Sequence, residues 1–584
     1  MNIFARLLAG VLLCLLLPQL QAQERLVVTP HMVINLGAHG DAWRLFDDQQ
    51  LTETYPCEIP QTDNIWNFFD AVWNGKFFYF PVEVVVDFGT AQEITQLCLR
   101  KGGGPNANDP VQIFTTDTNP TEWDLLLEHR AGGVECYDID PIQTRYVMFR
   151  FMTWQSKIRE IELYGTEKNV PICAPLAQAD NSCGSPRFTM DDFIGSNTNL
   201  DIPPAKANAV GFVRNYHGIF LSEGYDRPDY PGYPNNEYNW RPEFTEEAFD
   251  YDFFFQGFQD IGLDVSNSIH RASPYLTTFA YKTGDLSYNA AVPFNDSTIT
   301  VGKFIKITER KPFSERFYPI EIDMVADDPN MYVEFADVMY QFTGRYGRNP
   351  DAANMKVASS NQVRAGLGSV QYLENWNEPD KWWHFGAVNG LDFLDPYVEE
   401  QLGYFNPFEY AAMSSASYDG NGMTNEVQNV VRTRYPNGHP ANAAPVGMQA
   451  ADPSMKMVMA GLSELNTEYV RAMMFWFEHY RPDIEFPFDV INFHDYSNNG
   501  TNGAPLGTHA LSPEEYGLKE KLEAVVDFRN RYLPETELWM SEFGYDTHPR
   551  SIQSADCTKF CTDCDSPECK ERFREIQGQW IVRS

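Results

Sequence analysis

The sequence predicts two folded units in series, an N-terminal antiparallel β-sandwich and a C-terminal α/β unit of the (β/α)8 TIM-barrel class. Three observations predict it. Residues 27–166 carry short alternating apolar runs broken by Gly, Pro, Asn and Asp. From residue 206 onward, short apolar strands alternate with helical periods. At 584 residues the chain is also too long for one ordinary core.

Hydrophobic content of 43% and aromatic content of 14% fit packed globular structure. The formal charge of −37 opposes approach to nucleic-acid backbones and anionic membranes, so neither a nucleic-acid partner nor stable membrane insertion is expected. The opening "MNIFARLLAGVLLCLLLPQLQAQE" has one Arg, an apolar run from Leu7 to Leu17 and a small residue at Ala22. It reads as a secretory signal over residues 1–22, the run being shorter than the roughly 20 residues a span needs. The mature chain is therefore expected outside the cytoplasm.

Export permits disulfides. Without Cys14 the ten cysteines become nine, so one is left without an intrachain partner if the others pair. The cluster "CTKFCTDCDSPEC" has spacing that suits zinc, but in an exported chain two local disulfides are the expected reading.

Within the sandwich, "VEVVVDFG", "VQIFTTD" and "RYVMFRFMT" read as strands, closed by "KIREIELYGTE". The glycine run "KGGGPNAND" lacks the Lys-Ser/Thr and helix of a phosphate loop and reads as a plain loop. In this order the segments resemble the discoidin-like, galactose-binding β-sandwich that accompanies many secreted carbohydrate enzymes. The resemblance implies a carbohydrate-binding module and allows a structural calcium ion there. Residues 167–205, rich in Pro, Ala, Ser and Asn, read as a linker.

Beyond it, "AVGFVRNY" reads as a first strand, "TEEAFDYDFFFQGFQDIG" as a helix, "LDVSNSIH" as a second strand and "MYVEFADVMYQFTGRYG" as a helix before "VQYLENWNEP". Then come the strand "MKMVMAGLS", the helix "TEYVRAMMFWFEHY", the strand "FDVINFHDY", the helix "PEEYGLKEKLEAVVDFRNRYL" and the strand "ELWMSEFGYD". A third strand is expected in residues 272–325. The final "ERFREIQGQWIVRS" reads as the helix after strand seven, with Phe573, Ile576 and Trp580 on one face. On this count the sequence looks truncated before strand eight, which leaves the barrel open between its first and seventh strands.

Barrel chemistry sits at the C-terminal ends of strands. Glu378 lies at one such end and Glu542 at another, with 542 − 378 = 164 residues between them, room for about three βα units and so for strands four and seven. His494 and Tyr496 lie at a third end between them. "WNEP", "HDY" and "SEFG" in this order resemble the retaining glycoside hydrolases of clan A, over roughly residues 205–584. The resemblance implies that Glu378 is the general acid/base, Glu542 the nucleophile, Asn377 a contact for the sugar 2-hydroxyl, Tyr496 a hydrogen-bond donor to the nucleophile and His494 a residue lining the cleft. It implies no catalytic metal or cofactor, and a polysaccharide or oligosaccharide as substrate. Families sharing these motifs act on xylan-, mannan-, glucan- and agar-type polymers, and nothing in the sequence selects among them.

The chemistry needs these residue types: one carboxylic acid protonates the departing oxygen, while one carboxylate attacks the oxocarbenium-like centre. Arg214, Tyr216, His217 and His270 follow predicted strands and are further candidates for the cleft wall, as are Trp382 and Trp383 directly after the acid. Each has a structural role as its rival. Glu374 reads as a supporting carboxylate. Two other classes compete: a carbohydrate-binding or adhesion protein without turnover, disfavoured by the presence of both glutamates, and a metal-dependent hydrolase or lyase, disfavoured by the absence of H-E-x-x-H or a comparable motif.

Overall fold

The computed structural model describes residues 23–36, 42–46, 82–101, 111–129, 134–151, 158–173, 194–198, 203–218, 241–270, 329–380, 405–420, 446–497 and 509–584, apart from short gaps within some of these ranges. The segment read as a secretory signal, Trp382, Trp383 and residues 272–325 lie outside them. The chain divides into two compact units, one ending at Ala174 and the other running mainly from Pro175 to Ser584.

The first unit is a seven-stranded sheet of β1 (Glu24–Arg25), β2 (Val33–Asn35), β3 (Val82–Lys101), β4 (Val111–Thr116), β5 (Asp124–His129), β6 (Val134–Phe151) and β7 (Ile158–Gly165). Its order is β1-β7-β3-β6-β4-β5, with β2 on β3. β1–β7, β3–β6, β3–β7, β4–β5 and β4–β6 are all antiparallel. In β4, Val111, Ile113 and Thr115 are buried in strict alternation, which is why this polar-apolar repeat forms a strand. Register breaks in the long pair β3–β6, between Asp87 and Gln92 and between Ile94 and Gln96, provide the bends of a sandwich-like sheet. A disulfide joins Cys98 and Cys136, directly opposite each other on that pair.

The second unit is a nearly closed parallel barrel. Its elements in chain order are β8 (Gly195–Thr198), β9 (Phe212–Gly218), α1 (Tyr251–Asp260), β10 (Asp264–His270), α2 (Val333–Tyr346), β11 (Tyr372–Asn375), α3 (Pro407–Asp419), β12 (Lys456–Met459), α4 (Thr467–Tyr480), β13 (Val490–Asp495), α5 (Leu518–Tyr532), β14 (Glu537–Phe543) and α6 (Pro567–Arg583). The strands stand in sequence order from β8 to β14, each hydrogen-bonded to the next in parallel.

This order corrects the expected count. β10 pairs directly with β11, Ser266 opposite Tyr372, with no strand between them; residues 272–325, the place expected for a third strand, lie outside the described residues. The first strand is instead Gly195–Thr198, inside the stretch read as a linker. With β8 counted first, β11 is fourth and β14 seventh, the places expected for the two glutamates. Among the described residues no backbone pairing joins β14 to β8, but the Asn197 amide donates to the Ser541 carbonyl across that seam at 3.2 Å.

Along β9, alternation sends Val213, Asn215 and His217 to one face and Arg214 and Tyr216 to the other. His217 meets Tyr251 of α1 and Phe342 of α2, so the first set faces the helices and the second the barrel interior. His217 is therefore a core residue, its pKa pushed down to about 3 by burial, and not part of the cleft wall. In α1, Tyr251, Phe254, Phe255 and Phe258 are buried at helical spacing, and the Asp250 carboxylate caps the helix by accepting from Phe253 N. α3 starts on a capping box of Asn406 and Glu409 and ends at Gly420, whose φ of 68° is left-handed. Its run of Ala and Ser lets it lie buried between α2 and α4. The long helix expected over residues 513–533 is broken at Gly517, φ 68°, and α5 begins beyond it.

After β14, disulfides Cys557–Cys564 and Cys561–Cys569 staple the loop that the sequence also allowed to be a zinc knot. Phe573 and Trp580 of α6 bury against this loop and Tyr545. Cys173 is also disulfide-bonded. Among the described residues no helix is long and apolar enough to cross a membrane.

Arg481 is buried behind α3, donating to both Asp419 oxygens at 3.0 and 2.8 Å and to Ser415 Oγ at 2.7 Å. Arg481→Met strands the Asp419 carboxylate and is expected to destabilise this unit by about 3–5 kcal/mol. Chemical denaturation checks it; an unchanged midpoint would show that Asp419 reaches water without the arginine.

Candidate active site

β11 ends at Asn375, and the chain turns sharply. Trp376 and Glu378 take left-handed backbone angles, φ 86° and 43°, conformations that cost non-glycine residues about 1–3 kcal/mol each. Packing and hydrogen bonds hold the turn. The Trp376 ring lies edge-on to Phe335 and Phe405, Trp376 N donates to Ile269 O at 3.0 Å, and Glu378 N donates to Gly461 O at 3.0 Å. Beyond it, Asp380 accepts from Ser463 N at 2.8 Å, tying this turn to the loop after β12. The strand thus stops before its carboxylate, and Glu378 stands on a fixed turn over the barrel mouth, 2% exposed.

Glu542 stands on β14, where a register shift between Phe493 and His494 brings His494 opposite Glu542 and leaves Ser541 as the extra residue. One oxygen of Glu378, one of Glu542 and a ring nitrogen of His494 all lie within 4.8 Å of one another. His494, fully buried, has Nδ1 2.8 Å from Glu378 Oε1, and Nε2 3.1 Å from Ser541 Oγ and 3.4 Å from Glu542 Oε1.

Glu542 Oε1 accepts from Arg214 Nη1 at 2.7 Å and from the Tyr216 hydroxyl; Oε2 accepts from the Tyr496 hydroxyl at 3.1 Å. Burial works to raise the Glu542 pKa, but His494, Arg214 and the Tyr216 hydrogen bond together bring it below the ordinary carboxylate value. The Tyr216 and Tyr496 hydroxyls are pushed well above theirs, by burial first and then by Glu542. For Tyr216, Arg214 opposes that rise. Both therefore remain protonated donors.

Arg214 is the hub of this site. Besides Glu542 it donates twice to Glu374, at 2.5 and 2.8 Å, and once each to Asn377 Oδ1 at 2.9 Å and Asn197 Oδ1 at 3.4 Å. Burial would lower its pKa, but the neighbouring anions, Glu374 foremost, hold it well above the ordinary value, so it stays cationic. Glu374 also accepts from Gly461 N at 3.0 Å and Asn492 Nδ2 at 3.3 Å.

The structure therefore brings Glu378, Glu542, His494, Tyr496, Arg214, Tyr216 and Asn377 together. His270 is beside them, its ring 5.3 Å from that of Tyr216. Trp382 and Trp383 fall outside the described residues. Sequence reading missed Asn197, Gly461, Asn492 and Ser541. Their signal was only register: Ser541 and Asn492 sit one and two positions from residues already singled out.

No protein-family model matches the chain, and no curated protein matches it. Solved structures give partial likenesses. They include CpGH89CBM32-6 produced by Clostridium perfringens, 21% identical over 15% of this chain and 71% of that one, TM-score 0.13. The C-terminal domain of a chitobiase from Bacteroides fragilis is 19% identical over 16% and 68%, TM-score 0.14. Chitosan-binding module 1 of a chitosanase/glucanase from Paenibacillus sp. IK-5 is 16% identical over 15% and 70%, TM-score 0.13. Likenesses this slight say nothing about chemistry at Glu378 and Glu542.

Gly461 has a specific reason to lack a side chain. A Cβ there would lie 2.0 Å from His494 Nε2 and 2.3 Å from Cδ2. Its own N–H and C=O are both held, by Glu374 and Glu378 N. Gly461→Ala is expected to push the imidazole off Glu378 and to cost about 1–3 kcal/mol through overpacking. A crystal structure and a denaturation curve of the variant check both; a ring still in place at unchanged stability would contradict the account.

Proposed function

We propose that this protein is a glycoside hydrolase that cleaves a carbohydrate polymer by a retaining, two-step mechanism, with Glu542 as nucleophile and Glu378 as general acid/base. The observation that carries this reading is the closeness of the carboxylates: their nearest oxygens are within 4.8 Å. Retaining enzymes hold the pair about 5–5.5 Å apart, whereas inverting ones need about 6.5–9.5 Å to admit a water between them.

The two groups are also unequal in the way the reaction requires. Glu542 is surrounded by an arginine and two tyrosine hydroxyls, which stabilise its anion and aim its oxygens. Glu378 faces the His494 imidazole. In the first step, Glu542 attacks the anomeric carbon while the Glu378 carboxylic acid protonates the leaving oxygen; in the second, Glu378 as a base takes a proton from the water that releases the sugar. On this reading Asn377, whose Oδ1 accepts from Arg214, meets a sugar hydroxyl beside the reacting centre. On this reading Tyr216 and His270, whose rings lie 5.3 Å apart, wall the cleft on the β9–β10 side.

The donor set Glu378, His494 and Glu542 also has a spacing that suits a metal ion. Arg214 at 2.7 Å from Glu542 puts a positive charge beside that spot and opposes a second cation. A binding protein without turnover is the other reading.

Assays on a panel of polysaccharides, with and without chelator, separate these readings. Turnover indifferent to chelator is expected, and chelator-sensitive turnover would favour the metal. Glu542→Ala is expected to lose activity by several orders of magnitude and to regain part of it with azide, giving a glycosyl azide of inverted configuration. Glu378→Ala with azide should give the retained azide on an activated substrate. Exchanged products would reverse the two roles, and activity untouched in either variant would end the assignment.

A further inference from the structure

Resting on that reading, the hydrogen bonds around His494 assign a role to a residue outside the proposed catalytic pair. Asn492 Oδ1 accepts from Ser541 N at 3.1 Å, which fixes the amide so that Nδ2 is the donor to Ser541 Oγ at 2.7 Å and to Glu374 Oε1 at 3.3 Å. The Ser541 oxygen is therefore already an acceptor. The oxygen keeps a second lone pair and its hydrogen, and His494 Nε2, 3.1 Å away on its other side, is an atom to which that hydrogen can turn. With that hydrogen donated to Nε2, the ring proton of the neutral imidazole sits on Nδ1 and points at Glu378 Oε1, 2.8 Å away.

We propose that Ser541 is a positioning residue: by donating to His494 Nε2 it fixes the Nδ1–H tautomer, which occupies Glu378 Oε1 as an acceptor and confines the acidic proton of Glu378 to Oε2. A general acid needs its proton on the oxygen that meets the leaving group. If the opposite tautomer formed, Glu378 Oε1 would face a bare nitrogen, and its proton would be drawn onto Oε1 and into the barrel interior. Gly461 holds the ring in plane for this contact, since no side chain there would leave room for it.

The charged and titratable groups gathered on the ring are Glu378 from the turn after β11 and Glu542 from β14. Arg214 and Tyr216 from β9, Glu374 from β11 and Tyr496 after β13 stand one contact further out. Loss of the Ser541 donor leaves Nε2 free to carry the ring proton and turn it toward Glu542 Oε1, 3.4 Å away.

The direct test is histidine side-chain 15N NMR on the full chain, with His494 assigned among the 11 histidines by difference against His494→Gln. Wild type is expected to show Nδ1 protonated and Nε2 as the unprotonated acceptor at neutral pH. Ser541→Ala should lose that pattern and hold a proton on Nε2, and Ser541→Thr, which keeps the hydroxyl, should restore it. In parallel, kcat of Ser541→Ala should fall about tenfold with KM little changed, and its pH profile should shift, as the acid is mispositioned rather than removed. A proton on Nε2 in wild type, or a tautomer unmoved by Ser541→Ala, overturns the proposal. The NMR arm needs no substrate: the expected tautomers in a chain that cleaves no glycoside would support the hydrogen-bond assignment and count against the glycosidase reading instead.

Discussion

A single buried cation organises the second unit. Arg214, 2% exposed, spends its guanidinium on Glu374, Glu542, Asn377 and Asn197, and so links β9 to β11, β14 and β8 inside the barrel. An arginine without partners there would cost several kcal/mol, and so would either carboxylate without the arginine. Two anions share one cation, and the backbone N–H of Gly461 and the Asn492 amide supply further donors to Glu374. These partners fix the geometry. The bidentate contact to Glu374 locks the plane of the guanidinium, and the remaining nitrogens then aim at Glu542 and Asn377.

The polar interior changes where the hydrophobic core must be. Near the N-terminal ends of the strands, Phe212 packs edge to face on Tyr372 and Trp539, and those two rings meet at a tilt, with centroids 4.8–5.8 Å apart. Above them the described interior holds charged and amide side chains, Arg214, Glu374, Asn492 and Glu542 among them. That division lets the barrel be rigid and polar at once. The ring of His494 is clasped between Gly461, whose backbone is held by Glu374 and Glu378, and Ser541.

The residues that sequence revealed were those whose chemistry is written in their own type. Glu378, His494, Tyr496 and Glu542 stand beside apolar strand runs in a spacing that βα units explain, and they do meet. Arg214 was legible only as a candidate, because nothing local says that its partners come from strands far along the chain. β8 was not legible. Gly195-Ser-Asn-Thr has no apolar alternation, and three of its four residues are exposed, so it reads as linker until β9 pairs with it. Gly461 and Ser541 were invisible for a different reason: their roles are a missing Cβ and one hydroxyl hydrogen, which depend on register and not on composition.

With His494 and Tyr216, Arg214 holds Glu542 as an anion inside the barrel. Side-chain 13C titration of Glu542, assigned by difference against Glu542→Gln, measures this without any substrate. In wild type, Glu542 should titrate below the ordinary glutamate value of about 4.3, and Arg214→Met should move it upward, since removing a cation disfavours the charged carboxylate that burial already opposes. A wild-type Glu542 that titrates at or above the ordinary value, or one that Arg214→Met leaves unmoved, would contradict the account.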